Sequence, residues 1–253
     1  MSLLSVQREG SGSIFVWLHG FTQTSNSAHR FRSILAGTNE LWTIDLPGHG
    51  CAASVSASLD QAADLVAEIL PHEAVALGGY SLGGRVALHV ALRHPDRLSR
   101  LVLIGATRGI EDADERRERR LRDEGLAARI ETIGATAFLD EWLAQPMFHT
   151  LALDRRERDA RSVHAPDSAH GLADSLRRAG TGTQTWLAAR LSTVTAPVLA
   201  LAGANDTKFA REASAIADGV VSGQADVVKD AGHAAHLEAP RPTARRVTAF
   251  LAD

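Results

Sequence analysis

Cysteine, lysine and long apolar runs are what this chain has least of. One cysteine, Cys51, occurs in 253 residues, so no internal disulfide can form. No histidine or acidic cluster around Cys51 or elsewhere has metal-ligand spacing, and no glycine-rich phosphate loop is present, so neither metal nor cofactor is expected. Lysine occurs twice, as Lys208 and Lys229, among 27 cationic residues. Beside so much alanine, that arginine bias reads as composition and carries no function by itself. The formal net charge of -3 supplies no basic field for nucleic acid or an anionic membrane. No apolar run approaches the roughly 18–20 residues needed to span a bilayer. Residues 1–12, MSLLSVQREGSG, lack the cationic start and apolar core of a signal peptide. A cytoplasmic protein with a small-molecule partner is the expectation; the oligomeric state is not legible.

What is present has the rhythm of an α/β domain. IFVWLHGF (14–21), LWTIDLPGHG (41–50), AVALGGYS (74–81) and RLVLIGA (100–106) are short apolar runs that read as buried strands. LDQAADLVAEIL (59–70) and LGGRVALHVALRH (82–94) have helical spacing between them. From Thr107 to about Arg190 no strand is legible. The alternation then resumes with APVLALAG (196–203), REASAIAD, ADVVKD (225–230) and APRPTARRVTAFLAD. This order implies a doubly wound, mostly parallel sheet. The core would span residues 1–106 and 191–253, interrupted by a helical cap at 107–190.

The chemistry centres on Gly79-Tyr80-Ser81-Leu82-Gly83. Gly-x-Ser-x-Gly between a strand and a helix is a nucleophile elbow, which presents the serine hydroxyl at the carboxyl edge of the sheet. An unassisted serine is a poor nucleophile or base. In this architecture the helpers follow in the order acid, then histidine. Asp206, in GANDTKF, and His233, in DAGHAAH, both follow strands and so project from the same edge. Asp230 and His236 are the rival acid and histidine, and His19 and His49 read as structural loop histidines. An oxyanion hole would use the backbone amides of Leu82 and Phe21.

Arg85 stands out because the residues around it in the first turns of its helix, LGG-R-VAL, are Gly, Val, Ala and Leu. A buried guanidinium needs an anion. One turn beyond Ser81, that anion is either a ligand carboxylate, which suits the arginine fork, or an internal partner such as Asp123.

With these motifs in place, the chain resembles the α/β-hydrolase superfamily over nearly its whole length. It is most similar to the 2-succinyl-6-hydroxy-2,4-cyclohexadiene-1-carboxylate synthases of menaquinone biosynthesis. GYSLGGR (79–85), ERR (118–120), FLDEWLAQPMF (138–148), GANDTKF (203–209) and AGHAAHLEAP (231–240) carry the resemblance. It implies a cofactor-free lyase that eliminates pyruvate, with Ser81, His233 and Asp206 acting as a base. It also implies that Arg85, Arg119 and Arg161 bind the carboxylates of the substrate, with Tyr80 and Trp142 at the site. Lys208 matches a family position without an assignable role. Leu143 departs from the family, which often has an aromatic there. A gap between Phe148 and Gly171 leaves Arg158 as the neighbour to Arg161 in that alignment. Read without the family, Arg119 belongs to a charge run of the solvated kind, paired with Glu115 at i,i+4. Trp142, with Phe138 and Leu139, would simply pack a helix face on the core.

Two other functions share these motifs. A serine hydrolase of the same fold, whether an esterase or a carbon–carbon bond hydrolase, would use the triad without needing several arginines. A non-catalytic binding protein of this fold would usually have lost a triad member.

Overall fold

The computed structural model describes residues 3–252. Seven strands form one sheet: β1 (Val6–Gly10), β2 (Ile14–Leu18), β3 (Glu40–Ile44), β4 (Val75–Tyr80), β5 (Leu98–Ile104), β6 (Val198–Gly203) and β7 (Gly223–Val228). Their spatial order is β1-β3-β2-β4-β5-β6-β7, and only β1 runs antiparallel to its neighbour. The central strands are nearly continuous apolar runs because helices cover both faces.

On one face, α2 (Leu59–Ile69), α3 (Leu82–Arg93) and α8 (Thr207–Gly219) pack with Val16, Leu18, Leu77 and Leu101. On the other, α1 (His29–Leu35) and α10 (Pro240–Ala252) enclose Phe15, Trp17 and Val102. A short helix, α9 (Ala235–Glu238), precedes α10. Between β5 and β6 the chain forms α4 (Ala113–Ile133), α5 (Ala135–Leu143), α6 (Arg155–Asp159) and α7 (Ser168–Ala179), with no strand among the described residues. These helices hold a separate apolar cluster built on Ala127, Ile130, Phe138 and Leu172.

The structure adds elements that the sequence did not announce. Strand β1 is VQREG, mostly exposed at the sheet edge, so no hydrophobic run marks it. Helix α1 is short, and no side chain of its own caps it. Its first amides, of Ala28 and His29, donate instead to the Glu157 carboxylate of α6, at 2.8 Å each. That contact ties the helical segment to the core. Strand β7 ends at Val228, so Asp230 lies past it with φ 58°, exposed, and not on the strand.

Four buried histidines, His19, His49, His89 and His236, have pKa values lowered by burial, His49 to about 3. The unfolded chain would protonate them near 6.5, whereas the folded chain resists, so acid favours unfolding. Asp45, Asp64, Asp206 and Glu212 have lowered pKa values, and the stability they contribute is lost as pH falls below about 4. Melting temperature is therefore expected to fall from about pH 6.5 downward, and further below about pH 4. A melting temperature flat between pH 7 and 5 would contradict the histidine part of this linkage.

Candidate active site

Ser81 joins β4 to α3 with φ 50° and ψ -105°, a strained turn that lifts its hydroxyl off the sheet edge. The turn closes only because the residues two before and two after Ser81 lack side chains. A Cβ on Gly79 would strike the backbone of Gly83, and one on Gly83 would strike the Leu18 carbonyl. His233 Nε2 lies 3.3 Å from Ser81 Oγ, and His233 Nδ1 donates to Asp206 Oδ2 at 2.9 Å. Asp206 has two tasks. Its Oδ1 caps α8 by accepting from the Phe209 amide, which fixes the carboxylate while Oδ2 faces the imidazole. Burial works to raise its pKa. The hydrogen bond and charge of His233, with the Phe209 amide and Lys208, outweigh that and hold it below the usual carboxylate range.

The rival residues do not meet Ser81. His236 is fully buried beneath Tyr80, with ring centroids 4.2 Å apart, and its Nε2 lies 3.5 Å from Gln23 Nε2. His19 is held by the chain itself: Nδ1 donates to the Gly20 carbonyl and Nε2 accepts from the Leu46 amide. His49 Nδ1 donates to the Pro47 carbonyl.

The amides of Phe21 and Leu82 donate to no acceptor among the described residues. Leu82 is the first residue of α3, so its N–H has no partner within the helix. Phe21 sits on the loop after β2. Gln23, which sequence reasoning passed over, braces that loop by accepting from the Gly20 amide at 2.9 Å. Gly105 was also missed. At φ 58° it passes so close to His233 that an added Cβ would lie 3.1 Å from the imidazole Cε1.

Ser81, His233, Phe21 and Leu82 open onto a cavity of about 400 Å³ between the sheet edge and the helical segment. Trp142 forms part of its wall, edge-on to Phe21 with centroids 5.0 Å apart. Arg85, Arg119, Arg122 and Lys208 bring positive charge to the same space. Arg85 is 7% exposed and donates through Nη1 to the Ala179 carbonyl at 2.7 Å. No carboxylate among the described residues lies within 4.0 Å of it; the internal partner considered for it, Asp123, pairs with Arg119 instead, at 2.8 Å. Burial and the Arg119 charge lower the Arg85 pKa to about 10 against the pull of Asp123, which leaves it cationic at neutral pH. Arg119 thus bonds to Asp123, one turn on, and not to Glu115. Lys208 has no ion pair among the described residues and lies 5.6 Å from the Phe209 ring centroid.

A family model described as the alpha/beta hydrolase family matches residues 15–246. The 2-succinyl-6-hydroxy-2,4-cyclohexadiene-1-carboxylate synthase of Serratia proteamaculans is 33% identical over 260 residues, covering 98% of this chain and 96% of its own. The enzyme of the same name from Escherichia coli O1:K1 is 33% identical over 89% of this chain and 88% of its own. The chain belongs to this synthase family of alpha/beta hydrolases. The structure of MenH from S. aureus superposes with a TM-score of 0.89 at 29% identity, covering 100% of this chain and 98% of that one. An esterase from Thermogutta terrifontis, at 23% identity and a TM-score of 0.81, shares the fold.

Two family positions fall outside the Ser81 cavity. Tyr80 is buried, its ring between His233 and His236, and burial raises its phenol pKa. Arg161 lies under the Phe21 loop, 4% exposed, with Nη1 donating to Thr22 Oγ1 at 3.2 Å. Its Nε and Nη2 have no hydrogen-bond partner among the described residues. Arg161 lines a second cavity, of about 480 Å³, with Asp45 and His164. Arg158 is exposed and pairs with Asp140 at 3.1 Å, so it does not line the Ser81 cavity either.

Proposed function

We propose that this chain eliminates pyruvate from 2-succinyl-5-enolpyruvyl-6-hydroxy-3-cyclohexene-1-carboxylate, giving 2-succinyl-6-hydroxy-2,4-cyclohexadiene-1-carboxylate in menaquinone biosynthesis. The observation that carries this reading is the pairing, in one cavity, of an assembled Ser81–His233–Asp206 array with the buried Arg85 guanidinium, which has no carboxylate partner among the described residues. An esterase acting on neutral acyl groups gains nothing from such cations.

In this reading His233 Nε2 accepts the Ser81 proton as Ser81 Oγ takes the ring C2 proton. Electrons from that C–H bond form C2=C3, the C3=C4 bond shifts to C4=C5, and the C5–O bond breaks. Enolpyruvate leaves, takes the proton back and tautomerises to pyruvate. The charge that develops on the succinyl ketone oxygen falls to the Phe21 and Leu82 amides. Asp206 holds the imidazole in the tautomer whose Nε2 can accept. No acyl-enzyme forms. The substrate has three carboxylates: one on the ring, one on the succinyl chain and one on the enolpyruvyl group. Arg85 and Arg119 take two of them; the third is the one the family resemblance gives to Arg161, whose unpartnered nitrogens lie beside the adjacent cavity under the Phe21 loop. A buried guanidinium left without an anion is costly, which supports that role. Helices α4–α7, at 107–190, act as the cap that excludes water.

Small neutral esters are expected to be poor substrates, because they cannot use the anion-binding energy to reach the transition state. Turnover of nitrophenyl acetate beside pyruvate release from the enolpyruvyl compound checks this. Fast ester hydrolysis with no pyruvate would overturn the lyase reading in favour of a hydrolase.

A further inference from the structure

The main chain on both sides of His233 is gripped by one carboxylate. Glu238, the last residue of α9, bends back so that Oε2 accepts from the Gly232 amide at 2.8 Å and Oε1 from the Ala234 amide at 3.1 Å. The two donors bracket His233. The same Oε2 accepts a third hydrogen bond, from Thr150 Oγ1 at 2.5 Å. Thr150 belongs to the helical segment and follows Trp142, Gln145 and Met147, which line the cavity. A Cβ on Gly232 would lie 2.7 Å from Thr150 Oγ1, so the two chains meet here without room for a side chain.

We infer that Glu238 is a positioning residue, which sets the His233 imidazole against Ser81 and makes that setting depend on the placement of the cap segment through Thr150. The proposal rests on the function proposed above for Ser81 and His233. The physical case is that the imidazole has only two side-chain torsions, so its reach to Ser81 Oγ follows its backbone. His233 Nε2 is 3.3 Å from that oxygen, slightly beyond ordinary hydrogen-bond length, so a small backbone shift decides whether the proton can pass. A helix-capping role alone would need only the Ala234 amide. It would not require the Gly232 amide, on the far side of His233, or a hydroxyl from 88 residues away.

The test uses Glu238→Ala, Glu238→Gln and Thr150→Val in the full chain. Glu238→Ala is expected to lower kcat for pyruvate release by about 10–100-fold with KM little changed, the scale on which small misplacements act. Glu238→Gln keeps one accepting oxygen and should recover part of the loss. Thr150→Val should lower kcat less, and combined with Glu238→Ala it should add nothing further, because Thr150 acts through that carboxylate. A readout independent of catalysis is the ring C–H signal of His233 by NMR, assigned by its loss in His233→Asn. It should shift and broaden in Glu238→Ala and move in the same direction in Thr150→Val. If Glu238→Ala does not fold, Glu238→Gln and Thr150→Val carry the same test. Unchanged His233 signals with a lower melting temperature would make Glu238 a helix cap only and overturn the proposal. Should the wild-type protein release no pyruvate, the function proposed above fails, while the His233 signals still decide the clamp.

Discussion

Asp206→Asn is expected to lower pyruvate release by about 10²–10⁴-fold, the range over which a positioned acid–base group acts, while the protein stays folded. Folding should survive because the asparagine carbonyl can still accept from the Phe209 amide and cap α8. Catalysis should not. The new NH2 group would face His233 Nδ1, which must then become an acceptor, and the proton moves to Nε2. That tautomer cannot take the Ser81 proton. Ser81→Ala and His233→Ala should cost as much, and the double variants little more, because the three groups work as one unit. Steady-state rates measured beside circular dichroism and melting temperature check this. A folded Asp206→Asn protein with near-normal rate would remove Asp206 from the array.

Arg85→Ala is expected to weaken catalysis through substrate binding. Truncating one member of a desolvated charge pair costs about 2–5 kcal/mol. The loss appears in KM if the carboxylate is held equally in ground and transition states, and in kcat as well if the hold tightens as charge develops. The structure adds a second effect, since the Ala179 carbonyl at the end of α7 would lose its donor. A buried acceptor left unpaired costs about 1–3 kcal/mol, so melting temperature should fall too. Arg85→Lys should restore part of the binding, because a point charge replaces only part of a planar fork. Unchanged kcat and KM with a lower melting temperature would leave Arg85 as a brace between α3 and α7 and nothing more.

The central strands and the Ser81 turn were legible because burial on both faces writes continuous apolar runs, and because the turn tolerates only small neighbours. The Asp206 and His233 positions followed from where strands end. Strand β1 was not legible, since an exposed edge strand paired with β3 needs no hydrophobic pattern. The partner of Arg119 was misread as Glu115. Both Glu115 and Asp123 lie four residues away on α4, and only packing against the loop at Gly182 selects Asp123, whose Oδ2 lies 3.4 Å from that amide. Arg161 was placed by sequence likeness alone. Its burial beneath Thr22, 139 residues earlier, arises from an irregular segment whose path no local pattern dictates. Gln23, Gly105 and Glu238 escaped notice because they act on backbone amides or by close approach, and neither leaves a motif.

Pyruvate released by the purified wild-type protein and by Ser81→Ala, from the enolpyruvyl cyclohexene, tests the central claim most directly. The account predicts one pyruvate per substrate from the wild type, together with the ultraviolet absorbance of the conjugated diene, without added metal or cofactor, and almost none from a folded Ser81→Ala. Equal release from both proteins, or no release from the wild type, would contradict it.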